Sequence, residues 1–355
     1  MDIQKHIIQH TCTVREALAA INTLSGSGAM TLFVTDGMRL LGSLTDGDVR
    51  RALLRGVALE ASVVEAMHTP PRSVAAPAAQ QDNVPKLREL RQCGITIVPV
   101  VDKAGDIVDV VDLRSTRTRL PLRAILMAGG KGERLRPMTL TTPKPLLQIE
   151  GRAIIDYNIE ALAACGVSDI TVTTRYLAEK IHEHFAVPVC GVQVKCVTET
   201  QPLGTIGSAT MVDIPADGDT LVMNSDLITT VSFEELYLRH IAERADITMA
   251  VIPYQVSVPF AIITTDGQTV TGIEEKPSYS YFANAGIYVF ANRILRGLRA
   301  DTRTDATDLI ADTIAGGGRV VYQPVNGTWL DVGSPADFAQ AAQLMRHHRN
   351  LEQSK

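Results

Sequence analysis

One loop of this chain combines glycines and cations in a pattern suited to binding phosphate. An apolar run, Ala124–Ala128, predicts a buried strand that leads directly into the sequence Gly129-Gly-Lys-Gly132. Glycines let backbone N–H groups close around an oxyanion without Cβ clashes. The cations that could neutralise several negative charges in this loop are Lys131, Arg134 and Arg136. Together these residues indicate a polyphosphate-binding site.

The loop matches neither of two common phosphate-binding motifs. No G-x-x-x-x-G-K-[ST] sequence is present, and Leu135 stands where the dinucleotide fingerprint G-x-G-x-x-G requires its third glycine. The pattern continues instead through Pro137 and Thr139 to Pro143-Lys144-Pro145. This ordered set resembles the signature of sugar-1-phosphate nucleotidylyltransferases, which make nucleotide-diphosphate sugars from a nucleoside triphosphate and a sugar 1-phosphate. The resemblance extends from residue 122 to about residue 346.

Composition argues against several classes of protein. The chain has 355 residues, of which 45% are hydrophobic and 21% charged, as is typical of soluble globular proteins with about two domains. A net charge of −5 without any run of Lys and Arg argues against a nucleic-acid-binding surface. The sequence contains no run of about 18 apolar residues, so no membrane-spanning helix is predicted. Five scattered cysteines without C-x-x-C spacing predict buried thiols in a reducing compartment, and therefore a cytoplasmic protein.

Residues 1 to about 117 contain a weak internal repeat. Each half has a helical stretch, a short apolar strand, a glycine turn and a second strand. The helices are predicted at Val14–Ser25 and Val84–Gly94, and the strands at Met30–Thr35, Arg39–Leu44, Thr96–Asp102 and Ile107–Val111. The paired halves resemble a tandem cystathionine-β-synthase-type (CBS) module, an α+β regulatory domain that often binds adenine nucleotides between its repeats.

The resemblance implies a nucleotide site in the first of the two halves. Thr45 and Asp48 match the Thr-x-x-Asp whose members contact ribose and phosphate in the CBS family. A Thr or Asp at the start of a helix is also an ordinary N-cap, so a packing or dimerisation module without ligand is a competing interpretation. In the second half Asp109 replaces the usual glycine and the segment Val111-Asp-Leu113 has no Thr, which argues against a second site.

The polar segment 114–122 predicts a boundary between two domains. We place a regulatory domain at 1–117, a linker at 118–122 and a catalytic domain at 123–355. In the catalytic domain strand patterns alternate with helical ones, which predicts a mostly parallel α/β sheet flanked by helices. The resemblance implies a Rossmann-like nucleotidyltransferase sheet, and ligands bind such sheets beyond the carboxyl ends of the strands. The predicted strands are Asp169–Thr173, Val192–Val197, Thr220–Met223, Ile247–Pro253, Val270–Glu274 and Gly286–Phe290, and the helices include Ile154–Cys165 and Leu177–His184.

The reaction that the resemblance implies is nucleotidyl transfer. A sugar-phosphate oxygen attacks the α-phosphorus of the triphosphate in line, and pyrophosphate leaves. Arg134 is suited to clamp the β- and γ-phosphates, and Lys144 matches a family lysine near the reacting phosphates. Asp226 and Asp331 match the family's two metal-binding aspartates, which implies a Mg²⁺ cofactor, although a strand-end aspartate can also cap a turn. The loop residues expected to bind the nucleotide are Ala128, Gly129, Gly130 and Gly132.

The segment 198–209 resembles the base-recognition loop of the family. Its glycines allow the backbone to approach the edge of a base, and Gln201, Leu203 and Gly204 are the expected nucleotide contacts. The form Glu-x-x-Pro-Leu-Gly-Thr-x-Gly is similar to that of mannose- and heptose-phosphate guanylyltransferases, so GTP is the favoured donor. Because the loop is short, substitution of a single side chain could change its preference to another base.

Two further segments match sugar-site motifs of the family. Glu275 is placed to accept hydrogen bonds from sugar hydroxyls and Lys276 to hold the phosphate of the sugar. Asn284 and Gly286 belong to the second of these segments. The sequence Phe260-Ala261 departs from the Tyr-Gly that the family commonly has, so a hydroxyl is lost, a methyl is gained and an altered sugar pocket is expected.

These observations predict a cytoplasmic, Mg²⁺-dependent, guanylyltransferase-like enzyme with a regulatory CBS pair. The two-domain resemblance suggests glucosamine 1-phosphate as the acceptor, for surface-glycan synthesis. The alternatives are a uridylyltransferase of the same design, a non-catalytic sensor of nucleotides or nucleotide sugars, and a CBS-led binding module. A homo-oligomer is expected. Ser334 predicts the cap of a last helix, whose apolar stripe would serve as core or as an oligomer contact: Phe338, Ala341, Ala342 and Met345.

Overall fold

The computed structural model describes residues 3–25 and 29–353. The chain divides into two compact units. One comprises Met1–Pro121 with Ala163–Val167, and the other comprises Leu122–Leu162 with Ser168–Lys355. Every helix in the described part of the chain is too short or too polar to cross a membrane.

The chain alternates between strands and helices along most of its length. The strands are β1 (Ile7–Gln9), β2 (Thr31–Asp36), β3 (Arg39–Thr45), β4 (Val74–Ala75), β5 (Ile97–Val101), β6 (Ile107–Asp112), β7 (Leu122–Ala128), β8 (Gln148–Ile149), β9 (Arg152–Ala153), β10 (Ile170–Thr174), β11 (Lys195–Thr198), β12 (Asp219–Asn224), β13 (Leu227–Thr229), β14 (Ile247–Ser257), β15 (Ile262–Asp266), β16 (Thr269–Glu274), β17 (Ser278–Ala291), β18 (Val320–Pro324) and β19 (Trp329–Asp331). The α-helices are α1 (Val14–Thr23), α2 (Asp46–Leu54), α3 (Asn83–Gln92), α4 (Ile154–Ala164), α5 (Ala178–His184), α6 (Phe233–Ala242), α7 (Asn292–Arg296), α8 (Ala306–Ala315) and α9 (Pro335–Gln353). Short 3-10 helices lie at Ile3–His6, Val63–Glu65, Glu133–Leu135, Met138–Leu140, Lys144–Leu146 and Gly207–Met211.

The first unit contains two three-stranded sheets of the same topology. One has the order β1-β2-β3 and the other β4-β5-β6, and in each the first pair of strands is parallel and the second antiparallel. A helix, α1 or α3, connects the parallel strands of each sheet. The predicted helices and strands of this region are present, with ends shifted by at most about two residues. The sequence did not indicate β1 or β4 because strands of three and two residues are too short to show periodicity.

A seven-stranded sheet organises the second unit. Its order is β11-β10-β7-β12-β17-β14-β18, and among these described strands β17 alone runs antiparallel to its neighbours. The sheet is therefore dominated by parallel pairs, as the alternation of strands and helices predicts. Since β7 lies between β10 and β12, the carboxyl ends of these three parallel strands meet at one edge. Open parallel sheets bind ligands where the strand order reverses in this way.

Two strands of the large sheet extend further than predicted. β14 continues to Ser257 instead of ending at Pro253, and β17 begins at Ser278 instead of Gly286. The added residues pair with each other and continue past the sheet as a two-stranded ribbon. Because the added part of β17 alternates serine with tyrosine, it lacks the continuous apolar run from which the buried part was predicted.

The stripe of the final helix packs into the core. Its apolar side chains lie against the buried cluster that contains Leu135. Ser334 caps the helix, since its Oγ accepts the N–H of Asp337 at 3.3 Å. Of the two roles predicted for the stripe, core packing is the one that the structure shows.

All five cysteines are free thiols, but they are not all buried. Cys165 is buried, whereas Cys93 and Cys190 are exposed, so the prediction of five buried thiols is wrong. Cys93 caps the end of α3 and Cys190 lies in a turn with φ +51°. Both positions face solvent because they end or connect elements instead of lying on a core face.

Candidate active site

The glycine-rich loop leaves the carboxyl end of β7 and turns at Gly132. This residue has φ +60°, in the left-handed region that favours glycine, and its carbonyl oxygen accepts a hydrogen bond from Thr139 Oγ1 at 2.8 Å. A Cβ at Gly129 would lie 2.9 Å from Oε1 of Glu199. The loop therefore presents bare backbone at the end of the central strand, an arrangement that suits contact with an oxyanion.

A cavity of about 430 Å³ opens at the carboxyl ends of the central strands. The lining residues that the sequence had singled out are Ala128, Gly129, Gly130, Lys144, Gly204 and Asp226. Further polar lining residues, to which no role was assigned from sequence, are Arg175, Glu199, Asn224, Ser225, Arg303 and Asp305. The cavity thus joins the phosphate loop, the base-recognition loop and one predicted metal ligand.

Lys144 lies between the two aspartates that were predicted to bind metal. Its ammonium group contacts Asp226 Oδ2 and lies 3.3 Å from Asp331 Oδ1. The antiparallel pairing of β13 with β19 sets Leu227 opposite Asp331, and this register brings the two carboxylates together. Because Lys144 is only 9% exposed, these carboxylates are the charges that compensate for its burial.

Asp226 retains one unused acceptor. Its Oδ1 is buried and accepts no hydrogen bond from the described residues. Burial raises the pKa of Asp226 above its ordinary value; the ammonium of Lys144 opposes this effect, and the carboxylate of Asp331 adds to it. An unpaired buried carboxylate oxygen is costly, and a bound cation would relieve that cost.

Arg134 lies beside this cluster and is not part of the cavity wall. Its guanidinium group covers Gly333, where an added Cβ would lie 3.2 Å from Nη2. Gly333 follows Asp331 by two residues, so the guanidinium lies close to the second predicted metal ligand. The side chain is exposed, which leaves its planar fork accessible to an anion.

The base-recognition loop is held against the start of α8. The N–H of Thr205 donates to Asp305 Oδ1 at 2.9 Å, and a Cβ at Gly204 would collide with the backbone just before that helix. Gly204 lines the cavity. Leu203 is buried under the loop, and Gln201 turns away to donate from Nε2 to a backbone carbonyl oxygen at 3.0 Å. Of the three predicted nucleotide contacts in this loop, the structure brings Gly204 to the cavity.

Glu199, the first residue of the Glu-x-x-Pro-Leu-Gly-Thr-x-Gly motif, is a buried carboxylate in the cavity wall, and sequence reasoning gave it no individual role. It is 7% exposed, its Oε2 accepts the N–H of Leu203 at 3.4 Å, and Nε of Arg175 lies 3.9 Å from the same oxygen. Burial raises its pKa above the ordinary value, and the N–H of Leu203 and Arg175 offset only part of that rise. Glu199 and Arg175 directly follow β11 and β10. Their place at the carboxyl ends of parallel strands is the signal that could have identified Arg175 and that, together with the motif, could have singled out Glu199.

The four residues predicted for the sugar site divide into two pairs. Gly286 lies beside the cavity, because a Cβ there would be 2.5 Å from the amide nitrogen of a lining asparagine. Asn284 is held by its own strand: Nδ2 donates to the hydroxyl of Tyr288 at 2.7 Å, and Oδ1 accepts the N–H of Gly286 at 3.0 Å. Glu275 and Lys276 are exposed on the ribbon, between β16 and β17, and do not line the cavity.

Comparison with known proteins identifies the family. Residues 123–348, well over half of the chain, match the family described as Nucleotidyl transferase. The chain belongs to this family. The catalytic subunit beta of a mannose-1-phosphate guanylyltransferase from Dictyostelium discoideum is 29% identical over 225 residues, which are 61% of this chain and 62% of that protein. A mannose-1-phosphate guanyltransferase from Neurospora crassa is 31% identical over 228 residues, again 61% of this chain and 62% of that protein.

The chain therefore spans less than two thirds of the length of these curated relatives. Among solved structures, HddC from Yersinia pseudotuberculosis aligns with 63% of this chain and 99% of its own, at 21% identity and a TM-score of 0.49. The match to the nucleotidyl transferase family begins at residue 123 and leaves the preceding residues outside it.

Nucleotidyl transferases of this family typically use a divalent metal ion. In residues 3–25 and 29–353, no three His, Cys, Asp or Glu side chains cluster to form a complete metal site. Asp226 and Asp331 nevertheless fit such an ion, because both carboxylates already contact one cation and Oδ1 of Asp226 has no partner in the described chain. Mg²⁺ is commonly held by one or two carboxylates, while water and substrate phosphates supply the other oxygens.

A second cavity, of about 450 Å³, lies in the first unit and contains both residues predicted for the regulatory site. Thr45 and Asp48 form a capping box at the start of α2: Oγ1 of Thr45 accepts the N–H of Asp48 at 3.3 Å, and Oδ2 of Asp48 accepts the N–H of Thr45 at 2.8 Å. Burial alone would raise the pKa of Asp48, but hydrogen bonds from Thr45 and Arg51 hold it below its ordinary value. Arg51, His68 and Arg72 also line the cavity, so its wall is basic and suits an anion.

Proposed function

We propose that this chain is a sugar-1-phosphate guanylyltransferase, which transfers GMP from GTP to a sugar 1-phosphate and releases pyrophosphate. The observation that carries the proposal is the contact of buried Lys144 with Asp226 and Asp331 beside a glycine-lined cavity. The two relatives named above support the base and the sugar class, because mannose 1-phosphate and guanylyl transfer appear in both names. Mannose 1-phosphate is the first acceptor to test, and glucosamine 1-phosphate, which the two-domain organisation suggests, is the second.

The proposed reaction brings two anions together, so cations must be fixed in place before they meet. An oxygen of the sugar phosphate forms a bond to the α-phosphorus, while the bond from that phosphorus to the bridging oxygen breaks and pyrophosphate leaves with the electron pair. Asp226 and Asp331 would hold Mg²⁺, which when bound stabilises the charge that develops on the phosphates. Lys144 is beside both carboxylates, in position to bind a phosphate oxygen, and the exposed fork of Arg134 suits the β- and γ-phosphates.

We assign the recognition of guanine to Glu199. An ionised carboxylate only accepts hydrogen bonds, and the Watson–Crick edge of guanine offers two adjacent N–H donors. Uracil and thymine offer one N–H between two carbonyl oxygens, and a carboxylate would repel those oxygens. Since Glu199 is buried in the cavity wall, it would accept those donors where water competes weakly.

Pyrophosphate release by the full-length protein with Mg²⁺ tests the proposal. GTP, UTP, CTP, dTTP and ATP are crossed with mannose, glucosamine and glucose 1-phosphates. We expect turnover with GTP and one of these sugars. In the variant Glu199→Gln, which keeps the shape of the side chain but turns one acceptor into a donor, we expect kcat/KM to fall more for GTP than for UTP.

The other outcomes identify the alternatives. Preference for UTP in the wild-type protein would make it a uridylyltransferase. Absence of turnover with every pair, in protein that still binds a nucleotide, would favour a sensor. Equal losses for GTP and UTP in the variant would show that Glu199 supports the loop without selecting the base.

We also propose that the first unit is a CBS-type regulatory module that binds an adenine nucleotide. The basic cavity around Thr45 and Asp48 supports this role. Isothermal titration of the full-length protein with ATP and AMP tests it. We expect the double variant R51A/R72A to lose binding, while R55A, which changes an arginine outside the cavity, retains it. A wild-type protein that binds neither nucleotide would favour a packing module without ligand, and equal binding by all three proteins would place the nucleotide outside this cavity.

A further inference from the structure

A two-stranded ribbon, residues 252–283 and called the β-arm from here on, extends beyond the large sheet. It consists of the outer parts of β14 and β17 and the hairpin of β15 and β16. In the described chain, β14 pairs with β18 only as far as Val251, and β17 pairs with β12 only from Ile287 onward. Both edges of the β-arm therefore lack a neighbouring strand. An isolated two-stranded ribbon is at best marginally stable in water, so this one requires a partner.

The two faces of the β-arm differ in chemistry. Tyr254 is paired with Tyr281, and Val256 with Tyr279, so all four side chains lie on one face. The pairs Gln255–Ser280 and Ser257–Ser278 place a glutamine and three serines on the opposite face, and the pair Pro253–Phe282 continues that face at the base of the β-arm. Alternation of this kind is typical of a strand pair that buries one face. The four residues with apolar side chains are called the aromatic face below.

The β-arm also concentrates the exposed apolar side chains of the protein. Of the nineteen large apolar side chains that are exposed in the described residues, nine lie in the β-arm. Tyr254 and Tyr281 are 57% and 58% exposed, and Phe260 and Ile273 are 73% and 74% exposed. A concentration of exposed apolar side chains in one segment is typical of an interaction surface.

We propose that the aromatic face packs against the same face of a second copy of this chain. The face carries no charged side chain, so two copies with a net charge of −5 each can meet there without burying a charge. A two-fold axis sets one patch against itself, and tyrosine rings pack well in offset or edge-to-face pairs. The three tyrosine rings of the aromatic face offer roughly 300 Å². That is less than half of the roughly 800 Å² per partner of a standard interface, so Val256 and the hairpin of β15 and β16 must add to the contact.

Sedimentation velocity of the full-length protein over a range of concentrations tests the proposal. We expect a dimer for the wild-type protein and a dissociation constant at least tenfold higher for the double variant Tyr254→Ser/Tyr281→Ser. The matched control is Gln255→Thr/Ser280→Thr, which changes a pair on the opposite face and should leave the dimer intact. A wild-type protein that stays monomeric, or a tyrosine variant that dimerises as tightly as the wild type, would overturn the proposal.

Hydrogen–deuterium exchange of the wild-type protein provides a test that needs no variant. We expect the amides of residues 253–282 to be protected at concentrations where the protein is dimeric and to exchange rapidly on dilution. Protection that is independent of concentration and that appears on addition of GTP and mannose 1-phosphate would contradict the proposal. In that case the β-arm would close over its own site instead of binding a second copy.

Discussion

Lys144 and its two aspartates form the most constrained cluster of the candidate site. The lysine is nearly buried, and its charge is compensated by Asp226 and Asp331. One oxygen of Asp226 is left without a partner in the described residues, and burial raises the pKa of that carboxyl group. A protein that needed only a structural ion pair would gain little from a third charge and an unpaired oxygen. The arrangement supports the proposal that these residues bind phosphate and a metal ion.

The first prediction concerns Asp226. We expect Asp226→Asn to lower the rate of pyrophosphate release by roughly 100-fold or more, since it removes a carboxylate that would hold the Mg²⁺ needed to stabilise charge on the phosphates. The free energy of unfolding should change by no more than about 1–2 kcal/mol, because Lys144 keeps Asp331 as a partner. Enzyme assay and thermal unfolding measure the two effects, with Asp308→Asn on the exposed face of α8 as the matched control. Equal losses of stability and activity would contradict a role in metal binding.

The second prediction concerns pH and Glu199. Because burial raises the pKa of this carboxyl group, it takes up a proton at a higher pH than an ordinary glutamate. Only the ionised form accepts both guanine donors, so the KM for GTP should rise as the pH falls from neutrality toward about 5. The ionised form is the one that burial disfavours, so protonation favours the folded state relative to the unfolded chain and should not destabilise it. Measurement of KM for GTP across this range should show the rise in the wild type and a flatter profile in Glu199→Gln.

At the scale of elements, short loops at the ends of β7, β10, β11 and β12 build the cavity. The base-recognition loop depends on α8, since Thr205 and Asp305 join them by a hydrogen bond. Gly204 passes so close to the segment before α8 that a Cβ does not fit. The position of the loop is therefore set by packing between elements as well as by its own sequence.

The third prediction compares two glycines that share a left-handed conformation. Gly204 has φ +81° and no room for a Cβ, whereas Gly218 has φ +91° and its nearest atom would be 3.7 Å from a Cβ. Both alanine variants carry the free-energy cost of a left-handed alanine. The difference between their free energies of unfolding therefore measures the steric collision at Gly204. We expect Gly204→Ala to be less stable than Gly218→Ala by about 1–3 kcal/mol in chemical denaturation, and to raise the KM for GTP. Equal stabilities would show that the loop can move away from α8 without cost.

At the scale of the whole molecule, the family match accounts for one of the two units. The second unit contains the cavity with the glycine loop, and the first unit contains a separate basic cavity around Thr45 and Asp48. The β-arm belongs to the second unit and carries Glu275 and Lys276, which were predicted to bind the sugar. If a second copy orders the β-arm, dimerisation and sugar binding become linked.

The fourth prediction tests this link and rests on both proposals. We expect the KM for the sugar 1-phosphate to fall as enzyme concentration rises through the dissociation constant of the dimer, while the KM for GTP stays constant. If Lys276 binds the phosphate of the sugar, as predicted from sequence, an ordered β-arm no longer loses conformational entropy in that step. Steady-state assays well below and well above the dissociation constant provide the measurement. A sugar KM that is independent of enzyme concentration would separate the dimer from the sugar site.

Sequence alone was sufficient for features that depend on local chemistry. The glycine loop, the order of the motifs and most strand and helix positions follow from periodicity and from the conformational needs of glycine and proline. The family match confirms that the loop belongs to a nucleotidyl transferase. Sequence could not place the sugar motif relative to the cavity, because the serine–tyrosine alternation of β17 gives no sign of where the strand leaves the sheet.

Only the tertiary structure decided which distant residues meet. Lys144 is 82 residues from Asp226 and 187 from Asp331, and the pairing of β13 with β19 is what brings the two carboxylates to one ammonium. Glu199 and the exposed aromatic face of the β-arm likewise depend on strand order and register. A local sequence pattern predicts the secondary structure of its own segment. Burial and charge compensation depend instead on residues that are distant in sequence and that tertiary packing brings together.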